Sequence, residues 1–169
     1  GSDGLVAGVA LAKGLTAVLL APFAGALVDR YDRRMVMLWS NLARALIVAA
    51  LGALALTSQL EAWFLIVASV ALAASNTLFG PAFTASIPNI VGLDQLAPAN
   101  SSLQIAGTLA NITGPALGGM AVATIGSGGA FLVDALSFAV AALLILASKI
   151  PSPVRAQAEQ PSSLLSEIG

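Results

Sequence analysis

The chain has 169 residues, of which 58% are hydrophobic and 9% are charged, and its net charge is −1. A soluble domain usually carries about 25% charged residues, so a chain this apolar, with a mean hydropathy of +0.94, is expected to use lipid as its solvent. The charge offers no case for nucleic-acid binding, and the absence of cysteine and histidine excludes disulfides and the common zinc sites.

Five apolar segments follow one another, each long enough to cross a bilayer core of about 30 Å at about 1.5 Å per residue. In chain order they are predicted at residues 4–28, 35–57, 62–87, 100–124 and 129–148. The connections are short, which favours antiparallel neighbours in one bundle. The longest connection, 89–100, has room for a short interfacial helix. The predicted fold class is therefore all-α, a multi-spanning membrane helix bundle.

The two ends of the chain differ from the segments between them. The first four residues lack the positive region of a signal peptide, so we expect the chain to begin inside a larger protein. Residues 151–169 are polar and rich in proline and serine, which predicts a linker or a cut end. The apolar bundle is thus expected to occupy residues 1–150 as one incomplete domain.

The basic residues predict how the bundle is oriented. If the turn at 29–34 is cytoplasmic, the turns on the opposite side contain no lysine or arginine, as the positive-inside rule expects. The cytoplasmic side then holds Arg30, Arg33, Arg34, Lys149 and Arg155. Tyr31, Trp39 and Trp63 fall near predicted interfaces, where amphipathic rings settle. We therefore expect a multi-pass protein whose 29–34 loop and C-terminus are both cytoplasmic.

The stretch from Gly25 to Arg34 joins the first two apolar segments and carries three arginines and two aspartates. Asp29 is expected at the C-terminal end of a helix, where the macrodipole disfavours a negative charge by about 0.3–1 kcal/mol. The nearby arginines would compensate, since arginine–carboxylate pairing suits a partly desolvated site. A topology anchor is the simplest interpretation, but the spacing G-x-x-x-D-R-x-x-R-R indicates a more specific role.

That spacing resembles the loop motif between the second and third helices of the major facilitator superfamily of secondary transporters. The matching residues are Gly25, Asp29, Arg30, Arg33 and Arg34. Asp32 stands where the family more often has glycine, a variant similar to that of bacterial macrolide and enterobactin exporters. In the family this motif is a conformational latch that holds the cytoplasmic side shut. The resemblance implies that Asp29 is the latch acceptor and that the three arginines are its donors.

Three charged residues lie well inside apolar segments, namely Lys13, Arg44 and Asp134. A guanidinium at such depth costs about 2.5–3.5 kcal/mol on insertion scales, so Arg44 is expected to face a cavity or a carboxylate, or to snorkel to the headgroups. Asp134 is predicted either to titrate during transport or to form a static pair with Lys13 or Arg44. Because charges within a membrane usually mark pathways, all three are candidates for coupling.

Polar residues inside the segments are candidates for a cavity. Asn41 begins an N-L-A-R sequence that resembles the third helix of the efflux branch. Asn76 lies between two hydroxyl residues before Pro81, where the helix should bend. Together with Asn111, these asparagines either line a substrate cavity or join helices through hydrogen bonds.

The segment at 100–124 carries a run of small residues. Ala110, Gly114 and Gly118 are four residues apart and form one stripe, which lets two helix backbones approach closely. With Pro115 and Gly119 the sequence reads G-P-x-x-G-G, which resembles the antiporter motif on the fifth helix of exporters in the same superfamily. The resemblance implies export.

The resemblance covers about residues 2–150 and implies that the five segments are the second to sixth helices of a transporter with about 12, a partial N-terminal half. The implied function is secondary active efflux of a small molecule by alternating access, with proton antiport as the expected drive. Implied partners are the lipid bilayer, the substrate, the first helix and the C-terminal six-helix half, with no cofactor or metal. The implied location is the bacterial inner (plasma) membrane.

Two other classes of protein are weighed against this one. A membrane enzyme would need a nucleophile, metal ligands or clustered acids, and the absence of cysteine and histidine counts against it. A non-transporting structural or sensory helix bundle needs no cavity, and the three intramembrane charges count against it. Drug, siderophore, lysophospholipid and sugar exporters share the latch motif, so that motif does not select a substrate.

Overall fold

The computed structural model describes residues 2–148, which fold into long helices joined by short connections. The helices are α1 (Ser2–Arg30), α2 (Arg33–Leu56), α3 (Ala62–Val91) and α4 (Leu96–Ala147). Each contains a stretch long and apolar enough to cross a membrane, so the predicted all-α membrane bundle is confirmed. Lys149, Arg155 and the predicted linker at 151–169 lie outside the described residues.

Helix α4 consists of two arms separated at Gly126. Its 52 residues would measure about 78 Å as one straight helix, more than twice the thickness of a bilayer core. Gly126 interrupts the helical backbone with φ 74° and ψ 169°, a conformation open to glycine because it has no Cβ. We call residues 96–125 the first arm and residues 127–147 the second arm; each is about long enough to cross the bilayer core.

The connection between α3 and α4 contains only residues 92–95. Gly92 follows the last residue of α3 with φ 79°, and its N–H donates to the carbonyl of Pro88. Pro98 lies in the first turn of α4, where its missing N–H removes no intrahelical hydrogen bond. Both helices therefore extend into the region 89–100, where a longer loop was expected.

Helix α2 is the centre of the bundle and packs against α3 and against the second arm of α4, while α1 packs mainly on α3. The buried residues of α2 recur every three or four positions and form one stripe: Met37, Ser40, Asn41, Arg44, Ala45, Val48, Leu51 and Gly52. The second arm faces this stripe with Gly128, Ala135 and Ala142, three small buried residues seven apart. Small side chains allow this close packing, because membrane helices associate by fit of shape.

The first arm of α4, unlike the second, is not buried against the other described helices. Every residue from 100 to 120 is exposed in the described structure. The core of the described bundle therefore lies among α1, α2, α3 and the second arm.

Candidate functional site

The predicted latch lies at a corner where the end of α1, the start of α2 and the end of α4 meet α3. Val28, Met37 and Ala82 are buried there, and Phe79 and Ile145 pack against them. These residues come from the end of α1, the start of α2, the middle of α3 and the end of α4. The apolar cluster fixes the position of the charged connection that follows α1.

Two of the three predicted latch arginines bind main-chain carbonyls at this corner. The Arg33 Nη1 donates to the carbonyl oxygen of Ala85 on α3 at 2.7 Å. The Arg34 Nε donates to the carbonyl of Ile145 at 3.1 Å, and its Nη2 donates to the carbonyl of Leu146. The last carbonyls of a helix lack intrahelical donors and carry its negative dipole end, so a cation is favourable beside the end of α4. The two arginines join the start of α2 to α3 and α4.

The acidic residues of the corner have different positions. Asp32 is the N-cap of α2, and its carboxylate accepts hydrogen bonds from the backbone N–H of Arg34 at 2.8 Å and of Met35 at 3.4 Å. A cap of this kind stabilises a helix by about 1 kcal/mol, which gives a physical role to the aspartate at a position where glycine was expected. Asp29 lies in the last turn of α1, but its side chain lies outside the described residues. Its latch role stays a prediction.

Arg44 is buried at the junction of α2, α3 and the second arm of α4. Its Nη2 donates to the carbonyl oxygen of Ser75 at 3.0 Å, while its Nε is buried without a hydrogen-bond partner. The guanidinium carbon lies 4.6 Å from the ring centre of Phe79 and 5.7 Å from that of Phe138, within the range of cation–π attraction. Arg44 is therefore held by a carbonyl and two aromatic rings, and the structure does not bring it into an ion pair with Asp134.

Lys13 and Asp134 lie on open faces of the described bundle. Asp134 lines a groove of about 480 Å³ between the two arms of α4, together with Gly118 and Ser137. The described residues offer its carboxylate no hydrogen bond or ion pair. The structure thus brings the coupling candidate Asp134 and the motif residue Gly118 into one groove, which the sequence spacing did not indicate.

The three cavity candidates lie in different surroundings. Asn41 is buried, and its Nδ2 donates to the carbonyl of Met37 on the same helix at 3.0 Å. Asn76 and Asn111 are exposed. The structure does not bring the three amides together in one cavity.

The antiporter-like motif comprises Gly114, Pro115, Gly118 and Gly119. All four residues are exposed on the surface of the described bundle. A Cβ added at any of the three glycines would have no heavy atom within 4 Å. The tight glycine contacts lie at Gly52 and Gly128 instead, where an added Cβ would lie 3.0 Å from the Leu132 Cδ2 and 2.7 Å from the Leu56 Cγ respectively. These two glycines are not among the residues predicted from the sequence. The signal that could have identified them is the run of small residues seven apart that begins at Gly128.

A second groove, of about 520 Å³, lies beside the corner where α1 and α2 diverge over α3. Tyr31, Met35 and Trp39 are exposed along it, whereas Ser40 is buried at its base. Its lining is mainly apolar, and none of the predicted site residues belongs to it. We call it the α1–α2 groove.

The sequence of the chain matches a known family of membrane proteins. The model of the transmembrane secretion effector family, a branch of the major facilitator superfamily, matches residues 1–166. The chain belongs to the major facilitator superfamily. It is therefore a multi-pass membrane protein of a transporter superfamily, as its four membrane-length helices also indicate. The resemblance carried by the charged connection and the G-P-x-x-G-G motif is confirmed at the level of the family.

Several curated members of the superfamily are similar to the chain. The multidrug efflux pump Tap of Mycolicibacterium fortuitum is 36% identical over 81% of this chain and 35% of its own length. The uncharacterized MFS-type transporter YfiS of Bacillus subtilis is 29% identical over 78% of the chain and 30% of its own length. Macrolide efflux protein A of Enterococcus faecalis is 24% identical over 87% of the chain and 46% of its own length. The chain thus spans less than half the length of these relatives, and no solved structure matches it.

Proposed function

We propose that the chain forms part of a secondary active transporter that exports a small molecule across the bacterial cytoplasmic membrane by alternating access, with proton antiport as its drive. The match of a transporter family model to residues 1–166 carries this proposal, and two similar relatives bear the names of efflux proteins. The proposed partners are the lipid bilayer, the substrate and the remaining helices of a complete transporter.

The corner supports a moving role for the charged connection. Arg33 joins α2 to α3 and Arg34 joins α2 to the end of α4, so a change at the corner is transmitted to three helices together. In the proposed cycle the corner moves as one body, and Asp29 makes or breaks contact with the other half of the transporter. The positive-inside rule supports a cytoplasmic position for this corner.

Asp134 is the proposed proton-coupling residue. Its carboxylate is exposed in the groove between the arms of α4, beside the antiporter-like motif at Gly118. A carboxylate that a neighbouring element covers and uncovers changes its surroundings during a transport cycle, which is what coupling requires.

A non-transporting structural or sensory bundle is the second candidate function. It is favoured by the position of Arg44, whose guanidinium braces α2 against α3 and the second arm of α4 without facing either groove. A static brace needs no substrate. The open positions of Lys13 and Asp134 favour transport, because neither charge contributes to the packing of the described bundle.

Accumulation assays test the two functions against each other. The intact protein is expressed in cells that lack their major efflux pumps, and the uptake of a panel of fluorescent drugs is followed with and without a protonophore. We expect at least one compound to accumulate less when the protein is present, and the protonophore to abolish the difference. Unchanged accumulation across the panel would favour the static bundle.

Two variants refine this assay, and a third serves as their control. Asp29→Asn is expected to reduce export while leaving membrane insertion intact, and Asp134→Asn is expected to remove its dependence on the proton gradient. Asp94→Asn changes an exposed aspartate in the connection 92–95 and should leave export unchanged. Full export by Asp29→Asn would make the charged connection a topology anchor, and unchanged proton coupling in Asp134→Asn would rule out its titrating role.

A further inference from the structure

The α1–α2 groove has a volume of about 520 Å³ and is lined by residues of α1, α2 and α3. Its residues on α2 include Met35, Trp39 and Ala43, which are four residues apart and form one stripe. Met35 and Ala43 are separated by about 12 Å along the helix axis, so the groove runs from the charged connection toward the middle of the bilayer. These dimensions fit one extended hydrocarbon chain in one leaflet.

A cation lies at the end of the groove that faces the connection. Leu27 at the end of α1 and Tyr31 just after it line the groove, and Arg30 lies three residues after Leu27 on the same side of α1. Arg33 and Arg34 are occupied by main-chain carbonyls. Arg30 is exposed, and the part of the chain that the structure describes gives its guanidinium no hydrogen bond. It is therefore available to an anion at the membrane surface.

The lining of the groove favours a lipid over another helix. Helices that pack closely in membranes do so through small residues, as Gly128 does against α2 in this chain. The exposed side chains along the groove are large, with Tyr31 63%, Met35 42% and Trp39 60% exposed. A flexible acyl chain can pass between such side chains, whereas they hinder the close backbone approach that small residues allow. Tyrosine and tryptophan are also the residues that settle at the level of lipid headgroups.

We propose that the α1–α2 groove binds one acyl chain of an anionic phospholipid, whose phosphate contacts the guanidinium of Arg30. Basic pockets between membrane helices bind anionic headgroups by the same combination of charge and apolar surface. The site depends only on the position of the chain in a membrane and not on the proposed transport, so either proposal can fail alone.

Fluorescence quenching by brominated lipids tests the site, because Trp39 lies in the groove and Trp63 lies near the other end of α2 at the start of α3. The intact protein is prepared with Trp39 as its one tryptophan, all others including Trp63 being replaced by phenylalanine. It is reconstituted in phosphatidylcholine vesicles that contain phosphatidylglycerol or phosphatidylcholine brominated on the acyl chain. We expect brominated phosphatidylglycerol to bind beside Trp39 about fivefold more tightly than brominated phosphatidylcholine, as one arginine near the surface provides.

Matched variants show how much of the preference for the anionic lipid comes from the charge of Arg30 and how much from the groove. Arg30→Gln should bring the ratio close to one, while Arg30→Lys should preserve it because the charge remains. Ala43→Leu fills the inner part of the groove and should weaken quenching by the anionic lipid even with Arg30 present. A protein that keeps Trp63 as its one tryptophan should show no preference between the two lipids.

Three results would overturn the proposal. Equal quenching of Trp39 by both lipids would show that the groove has no preference for anions. A Trp39 that neither lipid quenches would mean that a segment of protein covers the groove. An unchanged ratio in Ala43→Leu would place the lipid at the surface beside Arg30 and outside the groove.

Discussion

The two arms of α4 belong to one helix and are adjacent in sequence, yet one is packed against the bundle and the other is exposed. The second arm buries Gly128, Ala135 and Ala142 against α2, while residues 100–120 of the first arm are exposed throughout. The helix that they form is long and apolar enough to cross a membrane, and the sequence predicted a membrane-crossing segment in each arm. Lipid covers apolar surface as well as protein does, so hydrophobicity does not decide which arm is packed. The decisive feature is a facing helix with a complementary shape.

The charged residues follow the same division. Arg34 and Arg44 lie in the packed part and donate to carbonyls of neighbouring helices. Asp134 lies in the groove between the arms, and Lys13 lies on an exposed part of α1. Polar groups inside a membrane protein need partners. Among the described residues the packed part supplies such partners to Arg34 and Arg44, whereas the open part supplies none to Asp134 and Lys13.

The largest expected effect on the free energy of unfolding concerns Arg44 in the packed part. Opposing terms act on the Arg44 guanidinium, because its hydrogen bond and cation–π contacts contribute about 2–5 kcal/mol and its desolvation costs several kcal/mol. These terms nearly cancel, so the volume of the side chain should decide the outcome. We expect Arg44→Ala to destabilise the protein by about 3 kcal/mol through the cavity left between α2, α3 and α4, measured by unfolding in sodium dodecyl sulfate.

Arg44→Met is the matched control for this prediction. It keeps most of the volume without the charge, and we expect it to cost less than about 1.5 kcal/mol. If methionine proved as harmful as alanine, the polar contacts to Ser75 and Phe79 would be the source of the stability.

The next effect compares the two arms directly. A Cβ at Gly128 would lie 2.7 Å from the Leu56 Cγ and 3.1 Å from the Leu56 backbone nitrogen, so Gly128→Ala forces α2 and the second arm apart. We expect a loss of about 2 kcal/mol in the same unfolding assay, as for other overpacked positions. Gly118→Ala on the first arm is the control, and we expect a change below about 0.5 kcal/mol because no heavy atom lies within 4 Å of the added Cβ. Equal losses in the two variants of the intact protein would show that Gly118 also packs against a helix.

The smallest effect concerns the corner. Arg34→Gln removes a cation from the C-terminal end of α4, and we expect a loss of about 1 kcal/mol. Hydrogen exchange should show faster opening at the last amides of α4, near Leu146 and Ser148. Arg30→Gln is the control and should leave these amides unchanged, because Arg30 is exposed and makes no hydrogen bond to α4 among the described residues. Faster exchange in both variants would mean that the effect comes from total charge and not from the contact of Arg34.

The sequence identified the charged residues of the site, but it did not indicate the contacts that they make. Asp32 departs from the expected glycine, and the structure explains it as the cap of α2. In the described structure Arg33 and Arg34 bind main-chain carbonyls of α3 and α4, contacts that the sequence did not indicate, and their predicted pairing with Asp29 stays a prediction. Main-chain carbonyls are present in every sequence, so no pattern of residues can reveal which of them a helix end will offer.

Composition and hydropathy by themselves determined that this is an all-α membrane protein, because a chain with 9% charged residues cannot cover a surface in water. The ordered charges from Gly25 to Arg34 and the G-P-x-x-G-G motif determined its family, because both depend on the identity of neighbouring residues. Only the tertiary structure decided that Gly52 and Gly128 form the tight helix contact and that Gly118 is open. The physical reason is that close packing depends on two helices at once, and a pattern along one helix does not say which other helix it will meet.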